Sequence, residues 1–290
     1  MSSIRPGTVL KQQINARRGL LVAGAANALA ARLIEQLGFE AVYLSGAGIT
    51  NTFYGMPDLG FVSLADLAQH TAASRDAVEL PIIVDADTGF GNALNVRHTV
   101  RTLERAGANA IQLEDQAMPK KCGHFNDKSV IPAAEAASKI KAAVDARQNE
   151  DFLIIARTDA RSVEGFEAAL ERAQLFIESG ADMTFVEAPV SVDELRRIPQ
   201  ALSVPQLVNV VIGGKTPTLD AAEFARMGFG LVLYANAALQ GAVFGMSAAL
   251  TRLRETGRLD EESGLVASFA QRQQLVQKDL FDELALRYQA

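Results

Sequence analysis

The stretch Ala106-Gly107-Ala108-Asn109-Ala110-Ile111-Gln112-Leu113-Glu114 decides the fold. Glycine at position 107 is typical of the residue that ends a helix by adopting the left-handed backbone conformation. A short apolar run follows, and runs of this length suit strands that are buried on both faces of a parallel sheet. The run ends on a carboxylate. The stretch therefore predicts the end of a helix, a turn, and a buried strand with a polar residue at its carboxyl end.

The same step recurs along the chain. Gly38, Gly180 and Gly228 also stand between a helical pattern and an apolar run. The helical patterns place apolar residues three and four positions apart, as over residues 166–177. Eight apolar runs are predicted to be strands, at residues 20–23, 41–44, 82–84, 110–113, 152–156, 183–186, 206–210 and 231–234.

Eight strands alternating with helices over about 250 residues is typical of an α/β protein with a (β/α)8 TIM barrel. A doubly wound open sheet is the alternative, but no G-x-G-x-x-G motif opens a helix after the first strand. No Pro- or Ser-rich linker divides the chain, so residues 1–290 are predicted to form a single domain. Residues 1–18 are expected to form a leading helix. Residues 235–290 exceed one barrel helix, and we expect this extra C-terminal helical segment to pack on a neighbouring subunit.

Composition excludes several classes of function. The net charge of −6 and the absence of Trp argue against a nucleic-acid partner. The chain has no apolar signal core at its start and no apolar run of about 18 residues, which argues against a membrane partner. A single cysteine cannot form an intrachain disulfide. These features favour a cytoplasmic protein with a small-molecule partner.

Polar residues stand at or just beyond the carboxyl ends of six consecutive predicted strands. Catalytic groups of a (β/α)8 barrel lie at that end. The stretches in question are Tyr43-Leu44-Ser45-Gly46-Ala47, Asp85-Ala86-Asp87, Glu114-Asp115-Gln116, Arg157-Thr158-Asp159, Glu187-Ala188-Pro189 and Asn209.

Three of these residues are candidate metal ligands. Asp85 and Asp87 are two positions apart, which on a strand places them on one side, and Glu114 follows the adjacent strand. Like charges so close together raise one another's pKa, and a hard divalent cation relieves the repulsion. The alternative is a structural network in which the acids pair with Arg157 and lysines. The number of polar strand ends favours the metal.

The only cysteine, Cys122, follows Lys120 and Lys121 and precedes Gly123 and His124. Cations beside a thiol favour the thiolate, which indicates a role as acid, base or nucleophile. The alternative is a cysteine buried as a small hydrophobe.

Three other strand-end residues have two interpretations each. Arg157 is either a bidentate clamp on a substrate carboxylate or part of a core ion pair. Glu187 and Asn209 are either ligand contacts or hydrogen bonders at the barrel mouth, and their position favours the former. The turn Gly213-Gly214-Lys215-Thr216 lacks the spacing of a nucleotide loop, and we interpret it as a turn that closes on the ligand.

Taken together, these motifs resemble those of the isocitrate lyase/phosphoenolpyruvate mutase superfamily. Within it, the chain is most similar to the 2,3-dimethylmalate lyase, petal death protein and methylisocitrate lyase group, and the run from Lys120 to His124 marks the carbon–carbon lyase branch. The matching stretches are Tyr43-Leu44-Ser45-Gly46, Gly55-Met56-Pro57-Asp58-Leu59-Gly60, Val84-Asp85-Ala86-Asp87-Thr88-Gly89, Leu113-Glu114-Asp115-Gln116, Lys120-Lys121-Cys122-Gly123-His124, Ala156-Arg157-Thr158-Asp159-Ala160, Phe185-Val186-Glu187-Ala188-Pro189 and Gly213-Gly214-Lys215-Thr216-Pro217.

The resemblance implies a Mg²⁺-dependent enzyme, with Mn²⁺ as a possible substitute. Its reaction would cleave a 2-hydroxy di- or tricarboxylate, a substituted malate or 2-methylisocitrate, to an α-keto acid and a succinate-like acid. It also implies a barrel whose eighth helix is swapped within a dimer-based homotetramer.

The resemblance further implies a role for each residue of the site. Asp85 would bind the metal directly, while Asp58, Asp87 and Glu114 would hold its waters. Cys122 would be the general acid. The implied substrate contacts are Tyr43, Ser45, Gly46 and Ala47 around the keto-acid part, Arg157 on a carboxylate, Lys120, and Gly123, His124, Glu187 and Asn209 on the second carboxylate; Tyr43, Arg157 and His124 are counted with Cys122 as catalytic.

Two alternatives remain beside this function. One is an oxaloacetate hydrolase or decarboxylase with the same Mg²⁺-enolate site, and the other is a non-catalytic barrel that binds a dicarboxylate. The cysteine argues against the binder, which has no use for a proton donor. Two positions depart from the family pattern: Ile212 stands where a glutamate is common, and Ala235 stands where oxaloacetate hydrolases carry a serine. The second departure favours the lyase.

Overall fold

The computed structural model describes residues 5–124 and 127–289. Eight parallel strands close into a barrel in chain order, and β1 pairs with both β2 and β8. The (β/α)8 architecture is therefore confirmed. The strands are β1 Leu20–Ala25, β2 Val42–Leu44, β3 Ile82–Asp85, β4 Ala110–Glu114, β5 Leu153–Thr158, β6 Met183–Val186, β7 Gln206–Asn209 and β8 Leu231–Tyr234.

The eight predicted strands are all present, and β6 and β8 have the predicted bounds. The main difference lies at carboxyl ends, where β1, β3, β4 and β5 extend one or two residues beyond their predicted bounds, the last three of them into polar residues. Asp85 ends β3, Glu114 ends β4, and Arg157 and Thr158 pair with β6. Backbone pairing does not depend on side-chain polarity, and these polar side chains extend strands whose other residues are apolar. The candidate site is thus partly built on strands rather than on loops.

Helices alternate with the strands. The leading helix, predicted over residues 1–18, is shorter, because it begins at Pro6 and ends at Asn15, where Arg17 and Gly19 adopt positive φ; residues 1–4 lie outside the described part. The helices are α1 Pro6–Asn15, α2 Ala28–Gln36, α3 Gly46–Ile49 with a π-helical turn Thr50–Tyr54, α4 Leu64–Ala77, α5 Ala93–Arg105, α6 Ala133–Ala146, α7 Phe166–Glu178, α8 Val192–Ala201, α9 Ala221–Met227, α10 Ala237–Thr256, α11 Phe269–Leu275 and α12 Lys278–Arg287.

The glycines predicted to close helices do so. Gly38, Gly107, Gly180 and Gly228 have φ angles of 84°, 100°, 97° and 98°. This left-handed conformation strains residues with a β-carbon, which explains why the same residue recurs at each helix-to-strand step.

Alternate strand residues fill the barrel interior. Leu10 and Ile14 of α1 join this cluster and are almost fully buried. Ile83 on β3 and Ile155 on β5 belong to it as well. Because side chains alternate along a strand, the residue two positions beyond each interior residue also points inward. At the carboxyl ends of β3, β5, β6 and β7 that residue is polar, and the interior face of the barrel therefore leads directly into the candidate site.

The C-terminal helical segment is present as α10, α11 and α12. It exposes many large apolar side chains, and Phe244 on α10 is 79% exposed. Across the described residues, no helix is both long and apolar enough to cross a membrane.

Candidate active site

Four carboxylates, those of Asp58, Asp85, Asp87 and Glu114, form the centre of the candidate site together with Lys120. Lys120 Nζ lies 2.5 Å from Asp58 Oδ1 and 2.6 Å from Asp87 Oδ1, and its side chain is 4% exposed. Asp58 and Lys120 are 62 positions apart in the chain. The structure therefore brings Lys120 to the predicted metal carboxylates.

Asp87 reaches this centre by a different route from the one we expected. It lies beyond the end of β3 and has a φ of 47°, so strand alternation does not place it beside Asp85. The left-handed turn instead lets the Asp87 amide donate to Asp85 Oδ1 at 3.3 Å. A non-glycine residue held in this conformation is uncommon, and such residues concentrate at functional sites.

Burial dominates the electrostatics of the carboxylates. Desolvation raises the pKa of Asp87 to about 7 against the lowering effect of Lys120. Desolvation also raises the pKa of Glu114 well above its usual value, although Arg157 opposes the shift. An additional positive charge nearby would therefore stabilise the ionised form of both carboxylates.

The keto-acid side of the predicted site is built around Tyr43. Its hydroxyl donates to Gln112 Oε1 at 2.7 Å, and Gln112 Nε2 lies 3.3 Å from Asp85 Oδ1. Burial and the charge of Asp85 raise the pKa of Tyr43 well above its usual value, so the phenol stays protonated. Tyr43 and Gln112 together orient Asp85.

The residues after Tyr43 form a small turn. Ser45 Oγ accepts from the Gly48 amide at 3.1 Å and caps α3. The Gly46 amide points at Asp85 Oδ2 at 3.4 Å, and a β-carbon on Gly46 would lie 3.4 Å from both Asp85 and Asp87. Ala47 continues the same helix. The structure therefore places Gly46 beside Asp85 and Asp87, with Ser45 and Ala47 next to it in the chain.

Arg157 is held by two carboxylates. Its Nε and Nη2 donate to Asp159 at 2.9 and 3.0 Å, and its Nη1 lies 3.1 Å from Glu114 Oε2. The guanidinium also lies 5.4 Å from the centre of the Phe185 ring. Of the two interpretations of Arg157, the ion pair is present, and it orients the guanidinium at the barrel mouth.

The thiol of Cys122 does not have the character that its neighbours suggested. Burial is the main cause of a raised pKa for Cys122, and the charges of Asp58 and Glu187 add to it. Lys120 is engaged by Asp58 and Asp87, and Lys121 Nζ donates to the Asp127 carbonyl. The expectation that flanking cations favour the thiolate is therefore wrong, because their charges are used elsewhere and desolvation prevails.

The cysteine loop, defined here as residues 117–124, is fastened at both ends. Gln116 donates to the Lys121 carbonyl at 2.8 Å and accepts from its amide at 2.9 Å. At the other end, His124 Nδ1 accepts from the Lys215 amide at 3.0 Å. A β-carbon on Gly214 would lie 2.6 Å from His124 Nδ1. The turn at Gly214 therefore contacts the loop at His124.

Gly123 packs directly against two charged side chains. A β-carbon on Gly123 would lie 2.2 Å from Glu187 Oε1 and 2.4 Å from Arg157 Nη2. His124 Nε2 lies 3.2 Å from Glu187 Oε1, close enough for an ion pair but without the angle of a hydrogen bond. The structure thus brings Gly123, His124, Glu187 and Arg157 together.

Several buried polar atoms of the site have no hydrogen-bond partner among the described residues. Unpaired buried polar groups are costly, and each calls for an explanation. In an enzyme they are the atoms expected to contact a ligand. They include Glu114 Oε1, Glu187 Oε2, Asn209 Oδ1, Thr216 Oγ1, His124 Nε2 and Asp87 Oδ1, the last of which touches Lys120 only as an ion pair.

These carboxylates fit a hard divalent cation. The candidate ligands are all oxygen atoms. The pKa values of Asp87 and Glu114 remain raised despite the neighbouring Lys120 and Arg157, and Glu114 Oε1 has no hydrogen-bond partner. Over residues 5–124 and 127–289, no three His, Cys, Asp or Glu side chains converge tightly enough to enclose a metal ion directly. Mg²⁺ usually takes one or two carboxylates and retains several waters, so the looser arrangement agrees with its preference.

The sequence interpretation missed four residues of the site. Gln112 had a usable signal, because it is a polar residue two positions before Glu114 on a buried strand. Asp159 was quoted within its motif, but its link to Arg157 was not foreseen. Thr216 was quoted within the turn after β7, but its buried, unpartnered hydroxyl was not foreseen. Lys128 had no signal, since it lies in a polar loop and reaches the site only through the fold.

Comparison with known proteins decides the family. The phosphoenolpyruvate phosphomutase family model matches residues 10–254. The 2-methylisocitrate lyase of Aeropyrum pernix is 44% identical over 283 residues, which cover 98% of this chain and 85% of that protein. The 2,3-dimethylmalate lyase of Eubacterium barkeri is 42% identical over 245 residues, covering 84% and 85%. The chain belongs to the phosphoenolpyruvate mutase/isocitrate lyase superfamily. The lyases among its relatives confirm the prediction of a carbon–carbon lyase.

Solved structures of this superfamily share the fold. A 2,3-dimethylmalate lyase matches with a TM-score of 0.91 and 32% identity, covering 98% of this chain and 95% of the other. An oxaloacetate acetylhydrolase in complex with 3,3-difluorooxalacetate matches with a TM-score of 0.90 and 30% identity, covering 99% and 100%. A phosphonopyruvate hydrolase in complex with oxalate and Mg²⁺ matches with a TM-score of 0.88 and 30% identity, covering 98% and 99%.

Proposed function

We propose that this superfamily member is a Mg²⁺-dependent lyase that cleaves a substituted malate or 2-methylisocitrate to an α-keto acid and a succinate-like acid. The observation that carries the proposal is the position of the Cys122 thiol. In the chain, Cys122 stands between Lys120, whose ammonium contacts Asp58 and Asp87, and Gly123, which packs against Glu187 and Arg157. A proton donor between a carboxylate centre and a second anion-binding group is what this cleavage requires.

The proposed metal ligands are the four carboxylates of the centre. Asp85 would bind Mg²⁺ directly, and Asp58, Asp87 and Glu114 would hold its waters. When bound, the divalent cation, Mg²⁺ or Mn²⁺, stabilises negative charge that develops on the keto-acid oxygen. Tyr43 and Gln112 orient Asp85 for this role, and the Mg²⁺ in the related phosphonopyruvate hydrolase structure supports it.

Cys122 has the protonation state that a general acid needs. As the carbon–carbon bond breaks, the 2-hydroxyl group of the substrate loses its proton to solvent and becomes the keto group. The bonding electrons remain on the succinate-like fragment as a carbanion, and the thiol delivers a proton to that carbon. Burial raises the pKa of Cys122, so the proton is present near neutral pH. Return of a proton to the thiolate then restores the enzyme. Such a proton transfer contributes roughly 10²- to 10⁴-fold in rate.

The substrate would be held by groups on both sides of the thiol. Ser45, Gly46 and Ala47 lie beside the carboxylate centre, where the keto-acid part would bind. Lys120 completes that side. We assign the second carboxylate of the substrate to the residues on the other side of Cys122. These are Gly123 and Arg157 together with His124, Glu187 and Asn209, each of which has an unpartnered polar atom.

A substrate panel tests the function. With Mg²⁺ present, we expect keto-acid release from at least one of 2-methylisocitrate, 2,3-dimethylmalate, 2-ethylmalate and isocitrate. Chelation with EDTA should abolish the activity, and added Mg²⁺ or Mn²⁺ should restore it. Cys122→Ser should lower the cleavage rate by about 10²- to 10⁴-fold with an unchanged melting temperature. No turnover by the metal-loaded wild type on any of the four would refute the lyase function.

Oxaloacetate hydrolysis is the second candidate. It is favoured by the full-length match to an oxaloacetate acetylhydrolase structure. Ala235 argues against it, because that position lacks the serine expected of such hydrolases. Oxaloacetate in the same panel separates the two, since loss of oxaloacetate without cleavage of any substituted malate would favour the hydrolase.

We further infer that the eighth barrel helix, α10, is swapped between subunits of a dimer, and that two dimers form a tetramer. The exposed apolar side chains of α10 and α12, such as Phe244, Leu250 and Phe281, support this assembly. Monomeric proteins seldom expose so much contiguous apolar surface.

A further inference from the structure

A buried lysine lies behind the cysteine loop. Lys128 Nζ is 2.6 Å from Asp159 Oδ1 and donates to the carbonyl oxygen of Gly123. The side chains of Lys128 and Asp159 are 1% and 0% exposed. A charge removed from water to this extent costs several kcal/mol unless it is paired and hydrogen-bonded. Both partners of Lys128 belong to the candidate active site.

Asp159 connects Lys128 to Arg157. Each of its carboxylate oxygens accepts from the Arg157 guanidinium, and Oδ1 also contacts Lys128. The Asp159 amide donates to Asp115 Oδ1 at 2.8 Å, which fixes the backbone at this position. Asp159 is therefore a rigid anchor shared by the two cations.

The contacts close into a ring. Gly123 packs on the Arg157 guanidinium, where a β-carbon would lie only 2.4 Å from Nη2. Arg157 is held by Asp159, Asp159 pairs with Lys128, and Lys128 holds the Gly123 carbonyl. Two contacts thus fix the distance between the Gly123 backbone and the Arg157 guanidinium. One is their direct packing, and the other is the connection through Asp159 and Lys128.

We propose that Lys128 is a positioning residue that holds Cys122 and His124 in register with Arg157 by fixing the carbonyl of Gly123. The role deepens the lyase function proposed above and rests on it. Gln116 and the Lys215 amide fasten the loop at its ends. Lys128 acts between them, at the residue that follows the thiol.

Removing the ammonium should therefore disturb the loop more than the barrel. In Lys128→Met, Asp159 keeps Arg157 and its backbone contact to Asp115, so the strands retain their pairing. The Gly123 carbonyl loses its donor, and the thiol is no longer held over the site. A displacement of about 1 Å near a reacting centre can cost about 10²-fold in rate.

Alkylation of Cys122 tests the loop directly, because the chain has no other cysteine. The limiting rate with iodoacetamide, taken at high pH where the thiolate is fully formed, reports access to the sulfur rather than its pKa. We expect at least about a tenfold increase for Lys128→Met, a smaller one for Lys128→Arg, and about a 10²-fold loss in kcat for Lys128→Met that Lys128→Arg partly restores. Lys139→Met is the matched control, since Lys139 is a buried lysine on α6 outside the loop.

The outcomes separate this proposal from the function itself. A folded Lys128→Met with the wild-type alkylation rate overturns the positioning role, whatever its activity. If Lys128→Met does not fold, Lys128→Gln, which also lacks the ammonium, is judged by the same criterion. An equal increase in the Lys139→Met control would show a general loosening and also overturn it. A wild type without lyase activity but with the predicted alkylation pattern would refute the function and leave the role of Lys128 supported.

Discussion

Substitution of Gly123 by alanine is the sharpest test of the site geometry. The new β-carbon would lie 2.2 Å from Glu187 Oε1 and 2.4 Å from Arg157 Nη2, where ordinary contacts begin at 3.4 Å. Neither side chain is free to retreat, because Arg157 is bound by Asp159 and Glu114, and Glu187 is almost fully buried. The loop must therefore move by about 1 Å, and a misplacement of that size costs about 10²-fold in rate.

We expect kcat/KM for keto-acid release to fall by about 10²-fold in Gly123→Ala, with a melting temperature within a few degrees of the wild type. The strain is confined to the loop, which is why the barrel should remain stable. Ser138→Ala is the control, because Ser138 is an exposed residue of α6 whose hydroxyl contacts only its own helix. Wild-type kcat/KM in Gly123→Ala would show that the loop does not pack on Glu187 and Arg157 during the reaction.

Two further predictions concern stability and assembly. Burial and the charge of Asp159 raise the pKa of Asp115 to about 6, so its stabilising contribution is present at low pH and is lost as pH rises through about 6. As pH rises from 4 to 7, the free energy of unfolding of the wild type should fall by up to about 3 kcal/mol relative to that of Asp115→Asn. Denaturant unfolding of both proteins at several pH values measures this difference, and a difference that does not change with pH would contradict the prediction. Phe244→Glu on the exposed face of α10 should reduce the mass measured by light scattering, whereas Lys141→Glu, an exposed change on α6, should not. An unchanged mass for Phe244→Glu would exclude a swapped α10.

Much of the site was predictable because it follows strand periodicity. Asp85, Glu114 and Arg157 each stand two positions beyond an interior residue of their strand, so a period of two in the sequence already directs them into the barrel. The same reasoning failed for Asp87, whose left-handed backbone lies outside the strand. It also failed for Lys120, whose partners Asp58 and Asp87 are set by loop closure.

The sequence by itself determined the barrel, the order of its strands and the set of polar residues at their ends, because helix closure and strand alternation depend on neighbouring residues. Only the tertiary structure decided the protonation of Cys122 and the partners of Arg157 and Lys128. Desolvation and Coulomb interactions depend on groups that are distant in the chain, such as Asp58 and Glu187 around the thiol. For this reason the basic residues beside Cys122 predicted a thiolate, and the folded protein holds a thiol.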